Sequence, residues 1–310
     1  MKIAFFDIKP YEREFFEKSL KDKNVELFFF EKTVKEVLEK PMNFDVISVF
    51  YTSKIDKDVL NKLPNLKYIQ TRSTGVDHLD LVEIYKRGII ASNVVGYAGP
   101  CVGEFAYGLL LEAIRKLYVA IVRLKWGCRE YEDLKGIEIE GKTIGILGLG
   151  TIGTQMAKIA KGFNAKTIGL NRSYKKEFDD LVDEFTQNLD YVLENSDFLF
   201  IALPLTPSTK NLINKENIKK FKGKVIVNPA RAEIIEEDVY RKFDGIIAAD
   251  VLPNWDLAKK ENIIATPHMA YYTEEALKRI MQISLENLLD FLDGKTPRNC
   301  LRVYLEKEHK

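Results

Sequence analysis

Gly148, Gly150 and Gly153 stand in G-x-G-x-x-G spacing within GILGLGTIGTQMAKIA, between an apolar run and an amphipathic one. Glycines so placed between a strand and a helix suit a pyrophosphate. The first permits a tight turn, the second lets backbone N–H groups come close, and the third lets the helix pack tightly. Thr151 and Ile152, which open the helix, belong to the same cofactor-binding set. A glycine turn without a ligand is the plainer alternative, and the complete strand–loop–helix–strand context argues against it. The next apolar run, KTIGL, ends in Asn171, Arg172 and Ser173, with Lys175 and Lys176 beyond, where dinucleotide sites commonly carry an acid. Such an acid binds both ribose hydroxyls of NAD and repels the 2′-phosphate of NADP. Asparagine removes that repulsion, and a guanidinium beside a hydroxyl takes phosphate through charge-assisted hydrogen bonds. The expected cofactor is therefore NADP(H) in preference to NAD(H), against the reading that these cations only solvate a loop.

The elements that must hold this loop follow from the pattern of apolar runs. KIAFF, VELFFF, VISVF, LKYIQ and GIIAS alternate with amphipathic stretches such as YEREFFEKSL, and a second series begins near Lys142 with TIGILGLG, KTIGL, FLFIAL, KVIVN, GIIAAD and NIIAT. Alternation of this kind predicts α/β architecture with two doubly wound parallel sheets. Between them, residues 102–124 are apolar on nearly every face of a helix, which predicts burial between lobes or between subunits of a homodimer. A last helix is predicted near residues 274–292. The length of 310 residues favours two lobes over one.

Composition excludes several classes. Lysine plus arginine number 47 against 46 acids, so no global charge recruits nucleic acid or an anionic membrane. Three scattered cysteines, Cys101, Cys128 and Cys300, lack zinc or disulfide spacing and fit unpaired thiols in a reducing cytoplasm. No run approaches the roughly 18 apolar residues of a membrane span, and IAFF is too short for a signal-peptide core. No metal site is expected.

Three further segments fall at strand ends, where open α/β sheets bind ligands: TRSTGVDHLDL (71–81), VNPARAEII (227–235) and ATPHMAYYT (265–273). Together with the glycine loop, and in this order along nearly the whole chain, they resemble the signature segments of the D-isomer-specific 2-hydroxyacid dehydrogenases. That family includes D-lactate dehydrogenases, glyoxylate and hydroxypyruvate reductases and 3-phosphoglycerate dehydrogenases. The resemblance implies a Rossmann cofactor domain over 96–270 and a flavodoxin-like substrate-binding domain from 1–95 with 271–310. It implies hydride transfer between nicotinamide and a small 2-oxoacid or D-2-hydroxyacid of the glyoxylate, hydroxypyruvate or pyruvate type. By the same resemblance, Arg231 grips the substrate and polarises its carbonyl, and His268 donates the proton. That pairing suits the chemistry, since negative charge grows on the ketone oxygen as hydride reaches carbon. Thr74, Gly75 and Val76 match the turn that holds the substrate carboxylate, and Tyr97 a residue lining the pocket. Val102, Leu203, Pro204, Thr209, Asn228, Pro229, Ala230 and Asp250 match cofactor positions, the last one contacting the carboxamide.

One position departs from the family. Its catalytic histidine leans on a glutamate five residues past the aspartate, and here DVLPNWDL places Trp255 in that slot. Asp256 is the expected substitute, with Glu261 a distant second; without either, His268 should hold its proton only in more acidic conditions. His78, in GVDH, is expected to be structural rather than a metal ligand, and His309 to be a solvated tail residue. Two alternatives compete with turnover of a 2-oxoacid: a redox sensor that binds dinucleotide without consuming it, and a formate- or phosphite-type dehydrogenase.

Overall fold

The computed structural model describes residues 1–301, so His309 lies outside the described residues. The chain divides into two compact units, 1–97 with 274–310 and 98–273. The first is built on a five-stranded parallel sheet of β1 (Lys2–Phe5), β2 (Glu26–Phe29), β3 (Val46–Val49), β4 (Tyr68–Thr71) and β5 (Ile90–Ser92). Their order is β2-β1-β3-β4-β5, the flavodoxin-like arrangement. Every residue of β3 and β4 is buried, as strands covered on both faces require, and the polar ones find partners inside, Ser48 Oγ donating to Gln70 Oε1 at 3.0 Å. The helix Glu274–Leu292 covers one face: Phe291 stacks on Tyr68 at 4.5 Å, and Asn287 Nδ2 donates to the Asn93 carbonyl at 2.9 Å. Arg72, directly after β4, is fully buried and donates to Glu12 at 3.1 Å, Ser48 Oγ at 3.1 Å and the Phe6 carbonyl at 2.8 Å. Breaking such a pair strands a buried charge at a cost of about 3–5 kcal/mol, so the turn after β4 leaves from a fixed point.

The second unit holds seven parallel strands: β6 (Thr143–Leu147), β7 (Lys166–Leu170), β8 (Glu184–Thr186), β9 (Phe198–Ile201), β10 (Val225–Asn228), β11 (Ile246–Ala249) and β12 (Ile263–Ala265). The order β12-β11-β10-β9-β6-β7-β8 is the doubly wound Rossmann pattern with one added edge strand. Chain direction across the sheet reverses between β6 and β9, and the glycine loop leaves β6 at that switch point. Both sheets are thus the parallel α/β sheets that the alternation of apolar runs implies.

The apolar stretch 102–124 departs from expectation. It is two helices rather than one: Gly99–Arg115, largely buried, and Leu117–Lys125, which buries no residue. Lys116 separates them in the left-handed conformation at φ 50°. The first helix packs on helix Thr151–Gly162, where a Cβ at Gly103 would come within 3.0 Å of Gln155 Cβ. The second leaves Leu117, Tyr118, Ile121 and Leu124 exposed, with Trp126 just beyond at 86% exposure. Burial on most sides is therefore wrong for 117–125 within a single chain. Among the described residues no helix is long and apolar enough to cross a membrane.

Candidate active site

The glycine loop has the geometry its spacing implies. Gly148 adopts φ +98°, and a Cβ there would meet the Ala202 carbonyl at 2.7 Å; a Cβ at Gly153 would lie 1.8 Å from the Gly148 carbonyl oxygen. Neither position tolerates a side chain. Around Gly150 nothing lies within 4 Å of where its Cβ would be, so a ligand can approach its backbone. Gly150 is the N-cap of helix Thr151–Gly162, whose first-turn N–H groups and positive end suit a phosphate. The residues present fit a dinucleotide.

At the end of β7, Asn171 donates from its side chain to the Ser173 carbonyl at 3.0 Å. Exposed Arg172 reaches Ser208 Oγ at 3.4 Å from the neighbouring loop after β9. Gln187 donates to the Arg172 carbonyl. Within the loop after β9, Thr209 Oγ1 donates to the Pro204 carbonyl at 2.6 Å and accepts from Thr206 N at 2.8 Å, which fixes the chain between Leu203 and Thr209. Val102 is buried in the first turn of helix Gly99–Arg115.

After β10, the buried Asn228 shapes the segment bearing Arg231. Its Oδ1 accepts from Ala230 N at 3.0 Å and its Nδ2 donates to the Arg231 carbonyl at 2.9 Å. The amide thus braces the turn through Pro229 and Ala230. Arg231 itself is half-buried and enters a 3-10 turn over Ala232–Ile234.

Asp250 is fully buried, and its carboxylate accepts from Thr266 Oγ1 at 2.6 Å, Met269 N at 2.9 Å and Ala270 N at 2.9 Å. The carboxylate clasps the loop that carries His268, whose own N–H donates to the Asp250 carbonyl at 2.8 Å. Held from both sides, His268 keeps a left-handed φ of 54°, unusual for a residue with a side chain. The half-buried imidazole has its pKa held below the ordinary histidine range, first by burial, then by the charge of Arg231, with Asp250 opposing. Arg231 and His268 therefore act on one another electrostatically inside this unit.

Asp256, expected as the acid beside His268, lies in the 3-10 turn Trp255–Lys259, its side chain 75% exposed and paired with Lys259 at 2.6 Å. Asn254 caps that turn through Asp256 N. Trp255 is 54% exposed and Glu261 also lies on the surface. Asp250 opposes the lowering of the His268 pKa through its charge. Its role as anchor was missed in the sequence, where the only sign is an acid ending one strand and a threonine and histidine following the next.

In the first unit, the turn after β4 has every carbonyl from Ser73 to Val76 engaged: Ser73 by Val94 N at 3.0 Å, Thr74 by Asn93 Nδ2 at 2.8 Å, Gly75 by Ser73 Oγ at 2.8 Å and Val76 by Leu79 N at 2.9 Å. The N–H groups of Thr74, Gly75 and Val76 donate to no protein group among the described residues. Successive N–H groups left open in this way are available to an anion. Tyr97 is buried, its carbonyl accepting from Arg279 Nε at 3.1 Å.

A Rossmann sheet with an open phosphate loop, and a cation beside a histidine of lowered pKa, define a nicotinamide-nucleotide-dependent oxidoreductase. Comparison with known proteins gives the family. The model of the D-isomer specific 2-hydroxyacid dehydrogenase NAD binding domain matches residues 107–270. A glyoxylate reductase of Thermofilum pendens is 35% identical over 252 residues, 76% of this chain and 74% of its own. A hydroxypyruvate reductase of Thermotoga maritima is 37% identical over 230 residues, 70% and 74% of the two chains. Among solved structures, D-lactate dehydrogenase from Aquifex aeolicus, complexed with NAD and lactic acid, is similar at TM-score 0.83 and 26% identity over 94% of this chain and 96% of its own. An acyclic imino acid reductase in complex with NADPH and D-Arg matches at TM-score 0.84 and 25% identity, covering 97% and 99%. The chain belongs to the D-isomer specific 2-hydroxyacid dehydrogenase family, and it is an enzyme.

Proposed function

We propose that this dehydrogenase reduces a small 2-oxoacid, glyoxylate, hydroxypyruvate or pyruvate, to its D-2-hydroxyacid with NADPH in preference to NADH. The observation that carries the reading is the placement of Arg231 and a half-buried His268 just beyond the ends of β10 and β12 of one parallel sheet, the His268 loop being clasped by Asp250. When bound, the reduced nicotinamide supplies the hydride. Arg231 neutralises charge growing on the carbonyl oxygen and His268 delivers a proton to it. The open N–H groups of Thr74, Gly75 and Val76 take the substrate carboxylate, and Tyr97 helps bound the pocket. Gly148, Gly150, Gly153, Thr151 and Ile152 hold the pyrophosphate. Val102, Leu203, Pro204, Thr209, Pro229 and Ala230 pack around the rest of the nucleotide.

The preference for NADPH rests on Asn171, Arg172 and Ser173, with Ser208 within reach of the guanidinium. Replacing Arg172 by alanine should raise KM for NADPH much more than KM for NADH; equal effects would remove the cofactor assignment. The relatives are named reductases and dehydrogenases, which favours turnover over a silent sensor, and their named substrates favour 2-oxoacids over formate or phosphite. The exposed apolar helix Leu117–Lys125 is our candidate homodimer surface. Three scattered cysteines support a cytoplasmic enzyme, and the balanced charge gives no reason for a nucleic-acid or membrane partner.

A further inference from the structure

We propose that His78 is a positioning residue for the substrate-carboxylate turn, acting through two buried hydroxyls; this rests on the assignment of residues 74–76 made above. His78 Nε2 lies 2.9 Å from Thr71 Oγ1, Thr71 Oγ1 lies 2.8 Å from Ser73 Oγ, and Ser73 Oγ donates to the Gly75 carbonyl at 2.8 Å. A carbonyl only accepts, so Ser73 spends its single proton on Gly75. It must then accept from Thr71, which spends its own proton, and Thr71 accepts from His78. The direction of all three bonds is fixed, and with it the tautomer: His78 carries a proton on Nε2. The ring is held from its backbone as well, since the His78 carbonyl accepts from Ile55 N at 2.8 Å.

The relay governs one particular donor. The Gly75 carbonyl and the Val76 N–H share a planar trans peptide and point in opposite directions, so capturing the oxygen aims the N–H of Val76 away from Ser73. Asn93 and Val94 hold the Thr74 and Ser73 carbonyls and by the same geometry aim the N–H groups of Gly75 and Thr74. Thr71 and Ser73 are buried, so without the histidine donor the Thr71 hydroxyl loses the donor that fixes its direction among the described residues, and the relay can reverse. A metal role for His78 with Asp80 is not available, because the Asp80 carboxylate caps helix Leu81–Lys86 through Glu83 N at 3.0 Å.

The test compares His78→Leu, His78→Gln, Ser73→Ala, the His78→Leu/Ser73→Ala pair and Val76→Pro in the full chain. The readouts are thermal melting, NADPH affinity, and kcat and KM for whichever of glyoxylate, hydroxypyruvate and pyruvate is turned over fastest. His78→Leu and Ser73→Ala should each raise KM about 10-fold, the worth of one aimed hydrogen bond, with kcat and NADPH affinity little changed. His78→Gln, which keeps an N–H donor, should restore most of the loss, and the pair should be no worse than Ser73→Ala alone. Nitrogen-15 spectra should show the His78 proton on Nε2. A proton on Nδ1 alone, or an unchanged KM in both His78→Leu and Ser73→Ala while Val76→Pro raises it, overturns the relay and leaves the turn's assignment standing. An unchanged KM in Val76→Pro as well overturns both.

Discussion

Replacing Asp250 by asparagine preserves shape and removes a charge. The carboxylate accepts three hydrogen bonds in a fully buried position. Asparagine offers one oxygen for two of the three donors and turns its NH2 toward the third, so one bond is lost and a donor faces a donor. Charge-assisted bonds are worth about 1.5–3 kcal/mol and neutral ones about 1 kcal/mol, so the variant should lose at least about 3 kcal/mol of stability. That is a large part of the roughly 5–15 kcal/mol of a typical domain, yet less than the whole, so the protein should still fold. A second effect acts on His268. Asp250 raises its pKa against burial and Arg231; without that charge the pKa falls further, and the fraction of enzyme holding the proton needed for reduction falls with it at neutral pH. Guanidinium unfolding measures the first effect. The pH dependence of kcat/KM for reduction measures the second: in the wild type it should decline as pH rises through a pKa below the ordinary histidine value, and in Asp250→Asn the decline should move to lower pH. A decline at the same or a higher pH would refute the anchoring role.

Asp256→Ala should leave that pH profile unchanged, because the side chain is exposed and paired with Lys259; a shift like that of Asp250→Asn would restore it as the histidine's partner. Gly153→Ala should weaken NADPH binding at least 100-fold or prevent folding, since the new Cβ would overlap the Gly148 carbonyl; fluorescence titration with nucleotide and circular dichroism separate the two. Ile121→Asp places a charge on the apolar helix and should shift sedimentation from dimer to monomer, whereas an unchanged sedimentation coefficient would exclude this face.

The α/β architecture was legible because parallel strands covered on both faces must be apolar throughout, and the chain spaces such runs with amphipathic helices. The nucleotide loop was legible for a local reason: Gly148 is demanded by its own positive φ and Gly153 by the Gly148 carbonyl five residues before it. Contacts made across long stretches of sequence were less readable. That Asp250 binds the loop of Thr266–Ala270 depends on the register of β11 against β12, and that Asn228 braces its own turn depends on rotamers. Asp256 was expected near His268 on counting alone, but the cap by Asn254 sets where it points. The helix break at Lys116 left no mark in an apolar run that reads as continuous. The relay at His78 was invisible because its members, two and five residues apart, meet only through the curve of the turn.

The most direct measurement is a stopped-flow record of nicotinamide absorbance after mixing enzyme and NADPH with glyoxylate, hydroxypyruvate or pyruvate, for the wild type and for Arg231→Gln and His268→Gln. Multiple turnovers in the wild type, and losses of at least 100-fold in kcat/KM in both variants with NADPH binding retained, are the expected result. NADPH bound but never consumed with any of the three acids, or undiminished turnover in either variant, would contradict it.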